Sequence, residues 1–125
     1  MGLWSIGSVT DYKNHRVAVL GGGSFGTAIA NMIASNGYAV TLWLRSEVRA
    51  ASIRDSRENS DYLPGYQLHS AMEVSTDLEQ ALAGAQTVFF AVPSSSFREL
   101  AKRAFPFLNK DCVLVSTAKG IEAHS

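Results

Sequence analysis

Residues 16–30 read Arg16-Val17-Ala18-Val19-Leu20-Gly21-Gly22-Gly23-Ser24-Phe25-Gly26-Thr27-Ala28-Ile29-Ala30. A short apolar run feeds a glycine-rich turn, and an apolar-periodic segment follows at once. Gly21, Gly23 and Gly26 fit G-x-G-x-x-G between a strand pattern and a helix pattern, the setting that motif requires. The physical reading is a diphosphate-binding βα turn. Gly21 permits the tight turn, Gly23 leaves no Cβ between the backbone and an approaching pyrophosphate, and Gly26 lets the helix lie close on its strand. The open N–H groups and positive dipole end of the helix then face the phosphates, an attraction of up to about 2 kcal/mol in a partly buried geometry.

The motif alone is a weak signature, and its surroundings strengthen it. Ala28, Ile29, Met32 and Ile33 repeat at helical spacing, and Asn36-Gly37 supplies a stop. Tyr38–Leu44 then reads as a second strand, completing a βαβ unit of about 30 residues. Ser46 caps a short helix to about Ile53, although its apolar stripe is poor. Arg54–Asp61 is charged and reads as a loop or fraying helix end. Tyr62-Leu63-Pro64-Gly65-Tyr66 is a turn signal, and a short strand is expected over Leu68–Val74.

Thr76 and Glu79 have capping-box spacing, opening a helix that runs to about Ala83 and stops at Gly84. Gln86–Val92 is a continuous apolar strand of the kind covered on both faces of a parallel sheet, and Pro93 ends it. Ser96 and Glu99 form a second capping-box pattern. Phe97, Leu100, Ala101, Ala104 and Phe105 line one helical face. Asn109-Lys110-Asp111 is a turn, and Cys112–Ser116 reads as a further buried strand. Alternation of strands and helices predicts a doubly wound, mostly parallel, Rossmann-type α/β sheet.

The 125 residues suffice for one domain with a core. Eleven basic and eleven acidic side chains cancel, which argues against a nucleic-acid partner. No apolar run is long enough to span a bilayer. Residues 1–14 read as a polar, irregular, flexible arm without signal-peptide character. The single cysteine, Cys112, excludes a disulfide within the chain and reads as a buried, inert thiol. His15, His69 and His124 are scattered, lack metal-ligand spacing and read as surface or loop residues. A cytoplasmic location fits these features. No G-x-S-x-G surrounds Ser94, Ser95 and Ser96, and no Lys-Ser or Lys-Thr follows the glycines, so serine-nucleophile and P-loop chemistry are disfavoured.

In doubly wound sheets ligands lie beyond the carboxyl ends of the strands, near the switch in strand order. The informative stretches are therefore Gly21–Gly26, Arg45, Pro93–Ser96 and Ala118–Gly120. An NAD site usually places a carboxylate at the end of the second strand for the ribose 2′-OH. Here that strand ends Trp43-Leu44-Arg45-Ser46. Arg45 can pair with a 2′-phosphate through charge-assisted hydrogen bonds of about 1.5–3 kcal/mol. The pattern favours NADP(H), with NAD(H) as the alternative. Against this stands a solvated Arg45 paired with Glu47, or Glu47 itself reaching the ribose.

Several separate stretches resemble one family. Gly21–Ala28 and Leu42-Trp43-Leu44-Arg45 resemble bacterial-type NAD(P)-dependent glycerol-3-phosphate dehydrogenase. So do Asn59–Gly65 (its N-x-x-Y-L-P-G loop), Ala91-Val92-Pro93-Ser94, and Ser116–Glu122, which contains Lys119-Gly120-Ile121-Glu122. The resemblance runs from about Arg16 to Glu122. It implies hydride transfer between NAD(P)H and dihydroxyacetone phosphate, giving sn-glycerol 3-phosphate for phospholipid synthesis. It also implies cofactor contacts from Ser24 and Phe25 at the phosphate loop, Arg45 near the adenosine ribose, and Lys119 at the junction of cofactor and substrate. A cation after a buried strand suits the substrate phosphate or carbonyl, an electrostatic role. Phe97 reads as core packing in preference to a nicotinamide contact.

Members of that family are more than twice as long and carry a helical second domain with their other catalytic lysine. The expectation is accordingly a flexible arm at 1–14 and an incomplete dinucleotide-binding domain at 15–125, with no catalytic residue of its own and an exposed sheet edge that favours self-association. Two alternatives remain open at this level: the nucleotide domain of another two-domain dehydrogenase, and a non-catalytic nucleotide-binding module on the same fold.

Overall fold

The strands and helices alternate as their patterns require. In the computed structural model, which describes residues 15–58 and 67–116, β1 (Arg16–Leu20) leads through the glycine turn into α1 (Ser24–Ser35). There follow β2 (Ala39–Trp43), α2 (Glu47–Ser56), β3 (Glu73–Ser75), α3 (Leu78–Leu82), β4 (Thr87–Phe90), α4 (Ser94–Ala104), a 3-10 turn at Phe105–Phe107, and β5 (Val113–Ser116).

All five strands are parallel, in the order β3-β2-β1-β4-β5. The chain moves outward from β1 to β3, then crosses back to the other side of β1. The switch in direction therefore falls between β1 and β4, the position where such sheets open a crevice. Val17 sits opposite Val40 on one side and Thr87 on the other.

Period-two alternation along β1 sends its side chains into two cores. Val17 and Val19 join Val40, Leu42, Met72 and Val74 beneath α1 and α2, which contribute Ala30, Ala34, Ala50 and Ile53. Ala18 and Leu20 join Trp43, Val88 and Phe90 beneath α3 and α4, which contribute Leu78, Leu82, Leu100 and Ala104. This two-sided burial explains why β1 and β4 read as continuous apolar runs. Leu100 is fully buried at 0% exposure in the second core. Leu100→Ala is expected to destabilise the fold by about 2–5 kcal/mol through lost transfer energy and a residual cavity. Chemical denaturation of both proteins checks this; a loss under about 1 kcal/mol would mean that α4 is only loosely docked.

Several local expectations need correction. The second strand is Ala39–Trp43, one residue shorter at each end than expected. The helix after Ser46 does not end near Ile53 but runs to Ser56, where Arg57 takes a left-handed φ of 56°. The Arg57 guanidinium donates to the carbonyls of His69 (2.5 Å) and Met72 (2.7 Å), tying this helix end to the segment before β3. That segment is not the strand expected over Leu68–Val74. Leu68 N–H donates to Arg57 O and Met72 N–H to His69 O, so only Glu73–Ser75 joins the ladder.

The cap of α3 is Asp77, not Thr76. An Asp77 carboxylate oxygen accepts from the N–H groups of Glu79 (3.0 Å) and Gln80 (3.4 Å), while the Thr76 hydroxyl donates to Glu47 at 2.5 Å. The helix ends at Leu82, one residue early, and Gly84 has φ +73°. Ser96–Glu99 is not a capping box either. α4 starts three residues earlier, with Pro93 as its N-cap, and Ser96 N–H donates to Pro93 O inside the first turn. The strand expected over Gln86–Val92 is only Thr87–Phe90; Ala91 N–H still donates to Leu20 O at 2.9 Å, and the Ala91 carbonyl lies against the glycine turn.

β5 is not a buried strand. Among the described residues it is one of the two edge strands, hydrogen-bonded only to β4, and Val113 and Leu114 are 57% and 53% exposed. Cys112 precedes it and is half-buried instead of enclosed. His69 is exposed, whereas His15 is half-buried, its Nε2 lying 2.8 Å from the Thr87 hydroxyl and its ring edge-on to Tyr38. The arm at 1–14, the Asn59–Gly65 loop, His124 and the stretch from Thr117 onward, with Lys119, lie outside the described residues.

Candidate functional site

The carboxyl ends of β1, β2 and β4 meet at one cleft of about 290 Å³. Its walls are Gly21–Gly23 from the first turn, Trp43–Arg45 and Arg49 around the end of β2, and Ala91–Pro93 with Ser96 after β4. These are the segments that follow strands on either side of the switch point.

The glycines divide by what a side chain would meet. At Gly21, φ is +131° and a Cβ would lie 2.2 Å from the Ala91 carbonyl oxygen. At Gly26 it would lie 2.1 Å from the Gly21 carbonyl oxygen and 3.2 Å from the Ala91 Cβ. Gly22 is constrained less severely, its Cβ position lying 2.8 Å from the Leu44 Cβ. Gly23 differs, because no atom of the described residues lies within 4 Å of its Cβ position. Three glycines thus close the β1–α1 turn onto its neighbours, and the fourth borders open space. A dinucleotide's pyrophosphate needs such a bare backbone beside a helix start. The residues present fit that group.

The start of α1 adds to this fit. Gly23 is its N-cap, Thr27 N–H donates to Gly23 O at 3.0 Å, no side chain among the described residues caps the helix, and its first turn holds no acid. The positive end of the helix is therefore not neutralised locally, the electrostatic requirement for an anion site. Ser24 and Phe25 are both exposed here. Thr27, fully buried, places its hydroxyl 3.4 Å from the Gly22 carbonyl and braces the turn from behind.

Arg45 lies at the β2 end of the cleft, where the sequence places it. Its partner is Glu99 of α4 at 3.4 Å, not Glu47. Both side chains are mostly exposed, so this pair is weak and readily exchanged. Glu47 is directed away, to Thr76 and to Arg54 at 4.0 Å. Phe97 packs edge-on against Phe90 with ring centroids 5.2 Å apart, consistent with core packing. Sequence reasoning missed Gly22, Thr27 and Arg49. The guanidinium of Arg49 approaches within 3.3 Å of the Gly22 Cβ position. Its only signal in the sequence is a second arginine four residues after Arg45.

A larger cleft of about 450 Å³ opens at the amino ends of the strands, among Arg16, Thr41 and Glu73. It contains neither a glycine turn nor a helix start, so it lacks the parts that hold phosphate. Among the described residues no cluster of His, Cys, Asp and Glu is arranged to hold a metal, and no helix is long and apolar enough to cross a membrane.

The parallel sheet, its switch point between β1 and β4, and the glycine turn leading into an uncapped helix define a Rossmann-type domain of the kind that takes dinucleotides. The family described as the N-terminus of NAD-dependent glycerol-3-phosphate dehydrogenase matches residues 16–125, and the chain belongs to that family. It is 53% identical over 110 residues to the NAD(P)+ glycerol-3-phosphate dehydrogenase of Teredinibacter turnerae, covering 88% of this chain and 32% of the relative. It is 52% identical over 111 residues to the protein of the same name from Saccharophagus degradans, covering 89% and 31%. The crystal structure of glycerol-3-phosphate dehydrogenase from Coxiella burnetii superposes with a TM-score of 0.77 at 30% identity, over 82% of this chain and 31% of that one. The chain thus spans about a third of the length of these relatives.

Proposed function

We propose that this chain forms the cofactor-binding part of an NAD(P)-dependent glycerol-3-phosphate dehydrogenase. The reaction of the whole enzyme is hydride transfer between NAD(P)H and dihydroxyacetone phosphate, giving sn-glycerol 3-phosphate for phospholipid synthesis. The observation that carries this reading is the open space at Gly23, beside an uncapped helix start at the switch point of the sheet. The bound dinucleotide supplies or accepts the hydride. The residues of this chain bind and orient it.

In this reading Gly21 and Gly26 set the turn, Gly23 leaves room for the pyrophosphate, and the first-turn N–H groups at Ser24 and Phe25 donate to it. Arg45 exchanges Glu99 for the adenosine ribose, favouring NADP(H) over NAD(H). Lys119 is assigned by its place in the sequence, three residues beyond the end of β5, as the cation that meets the substrate phosphate or carbonyl. The domain is proposed to occupy 15–125, preceded by an arm at 1–14, in a cytoplasmic enzyme. The outer edge of β5, with Val113 and Leu114 exposed, supports a tendency to self-associate.

Paired calorimetric titrations with NADPH and NADH test the assignment. Because Arg45 is exposed and shared with Glu99, Arg45→Ala is expected to weaken NADPH about three- to ten-fold, a loss near 1 kcal/mol, and NADH much less. A folded wild-type chain that binds neither dinucleotide would remove the cofactor-site reading.

A further inference from the structure

Arg45 is not the only cation at the end of β2. Arg49 lies one helical turn further on, as the third residue of α2, and lines the same cleft. Its backbone N–H donates to the Ser46 hydroxyl at 3.1 Å, which fixes the first turn. A guanidinium nitrogen reaches to 3.3 Å from the Gly22 Cβ position, so the side chain spans the gap between the β2 end and the glycine turn. Arg49 is half-buried, whereas Arg45 projects into solvent toward Glu99.

The charge distribution around this pair is one-sided. Among the described residues that wall the cleft there is no carboxylate. Glu47, in the same helical turn, is engaged with Thr76 and Arg54. Both arginines stand at the positive end of α2, where a helix disfavours cations. A doubly charged phosphate between them would relieve that cost and receive charge-assisted hydrogen bonds from both. Of the two, Arg49 is the half-buried one, so less side-chain freedom is lost when it binds.

We infer that Arg49 is the principal determinant of preference for a 2′-phosphorylated dinucleotide, with Arg45 as the mobile second arm of the clamp. This rests on the cofactor reading above and adds to it the residue that sets the specificity. Arg45 begins on Glu99 and joins the phosphate on binding, while Arg49 already lies beside the glycine turn.

The test is calorimetric titration of the 125-residue chain with NADPH, NADH and 2′,5′-ADP, for wild type, Arg45→Ala, Arg49→Ala and Arg49→Gln. Arg49→Ala and Arg49→Gln are expected to weaken NADPH and 2′,5′-ADP by about ten-fold or more, exceeding the effect of Arg45→Ala, and NADH by less than about two-fold. Thermal unfolding of each variant without ligand identifies loss of fold, and the glutamine variant retains much of the packing. An equal loss for NADPH and NADH would overturn the inference by assigning Arg49 to the shared pyrophosphate or to structure. An unchanged NADPH affinity would also overturn it. If the wild type binds none of the three ligands, the cofactor reading itself fails and this inference with it.

Discussion

Gly26→Ala is expected to destabilise the protein by about 3–4 kcal/mol, enough to unfold a domain of ordinary stability under mild denaturant. The position is helical, where alanine normally exceeds glycine in stability by about 1 kcal/mol, so propensity alone predicts the opposite sign. Contact decides the outcome. The added Cβ would lie 2.1 Å from the Gly21 carbonyl oxygen and 3.2 Å from the Ala91 Cβ. The first of these atoms is backbone and cannot rotate away. Relief requires moving α1 off the sheet, which opens the core containing Ala30, Ala34 and Val19. Urea denaturation monitored by Trp43, buried at 2% exposure, reads the loss. A variant within about 0.5 kcal/mol of wild type would show that the turn tolerates a different backbone path.

Gly23→Val is expected to produce the complementary result, with the fold retained and dinucleotide binding lost. Gly23 has φ −73° and ψ −176°, an extended conformation open to any residue, and no atom of the described residues lies within 4 Å of its Cβ position. Losing glycine as N-cap costs about 1 kcal/mol or less. The valine methyl groups would occupy the space beside the helix start that a pyrophosphate needs. Affinity for NADPH and NADH is expected to fall together by about a hundred-fold or more, equivalent to about 2.7 kcal/mol. Calorimetry beside a melting curve separates the two effects. Undiminished binding of both dinucleotides would mean that the phosphates lie elsewhere.

The difference between these glycines also shows what could be read in advance. The βαβ unit was legible because Gly21–Gly26 joins an apolar run to a helical period, two signals that arise from local chain geometry. Arg45 was legible as a residue just beyond a strand, and the structure places it at the cleft. Its partner was not, because Glu99 lies 54 positions away and meets it only through the docking of α4. Thr76 and Asp77 are both competent caps, and tertiary contact with Glu47 draws Thr76 away. The length of α2 was hidden because Arg54, Asp55 and Ser56 face solvent, leaving only Ala50 and Ile53 buried as apolar markers. An exposed sheet edge was expected of an incomplete domain, but that β5 forms one was not legible. Val113-Leu114-Val115 has the composition of an inner strand, and its lateral place in the sheet is set by topology.

The cleft draws its walls from residues 21–23, 43–49 and 91–96, three stretches joined only by the completed sheet. No one stretch retains a half-site when the others come apart. A ligand seated there therefore discriminates between the assembled and the unfolded chain, and its binding free energy adds to the cohesion of β1, β2 and β4 together through mass action. β5 contributes nothing to those walls, so it shares this reinforcement only through its ladder with β4. Occupancy acts as a keystone for the inner sheet, while the outer margin keeps its own local opening equilibrium.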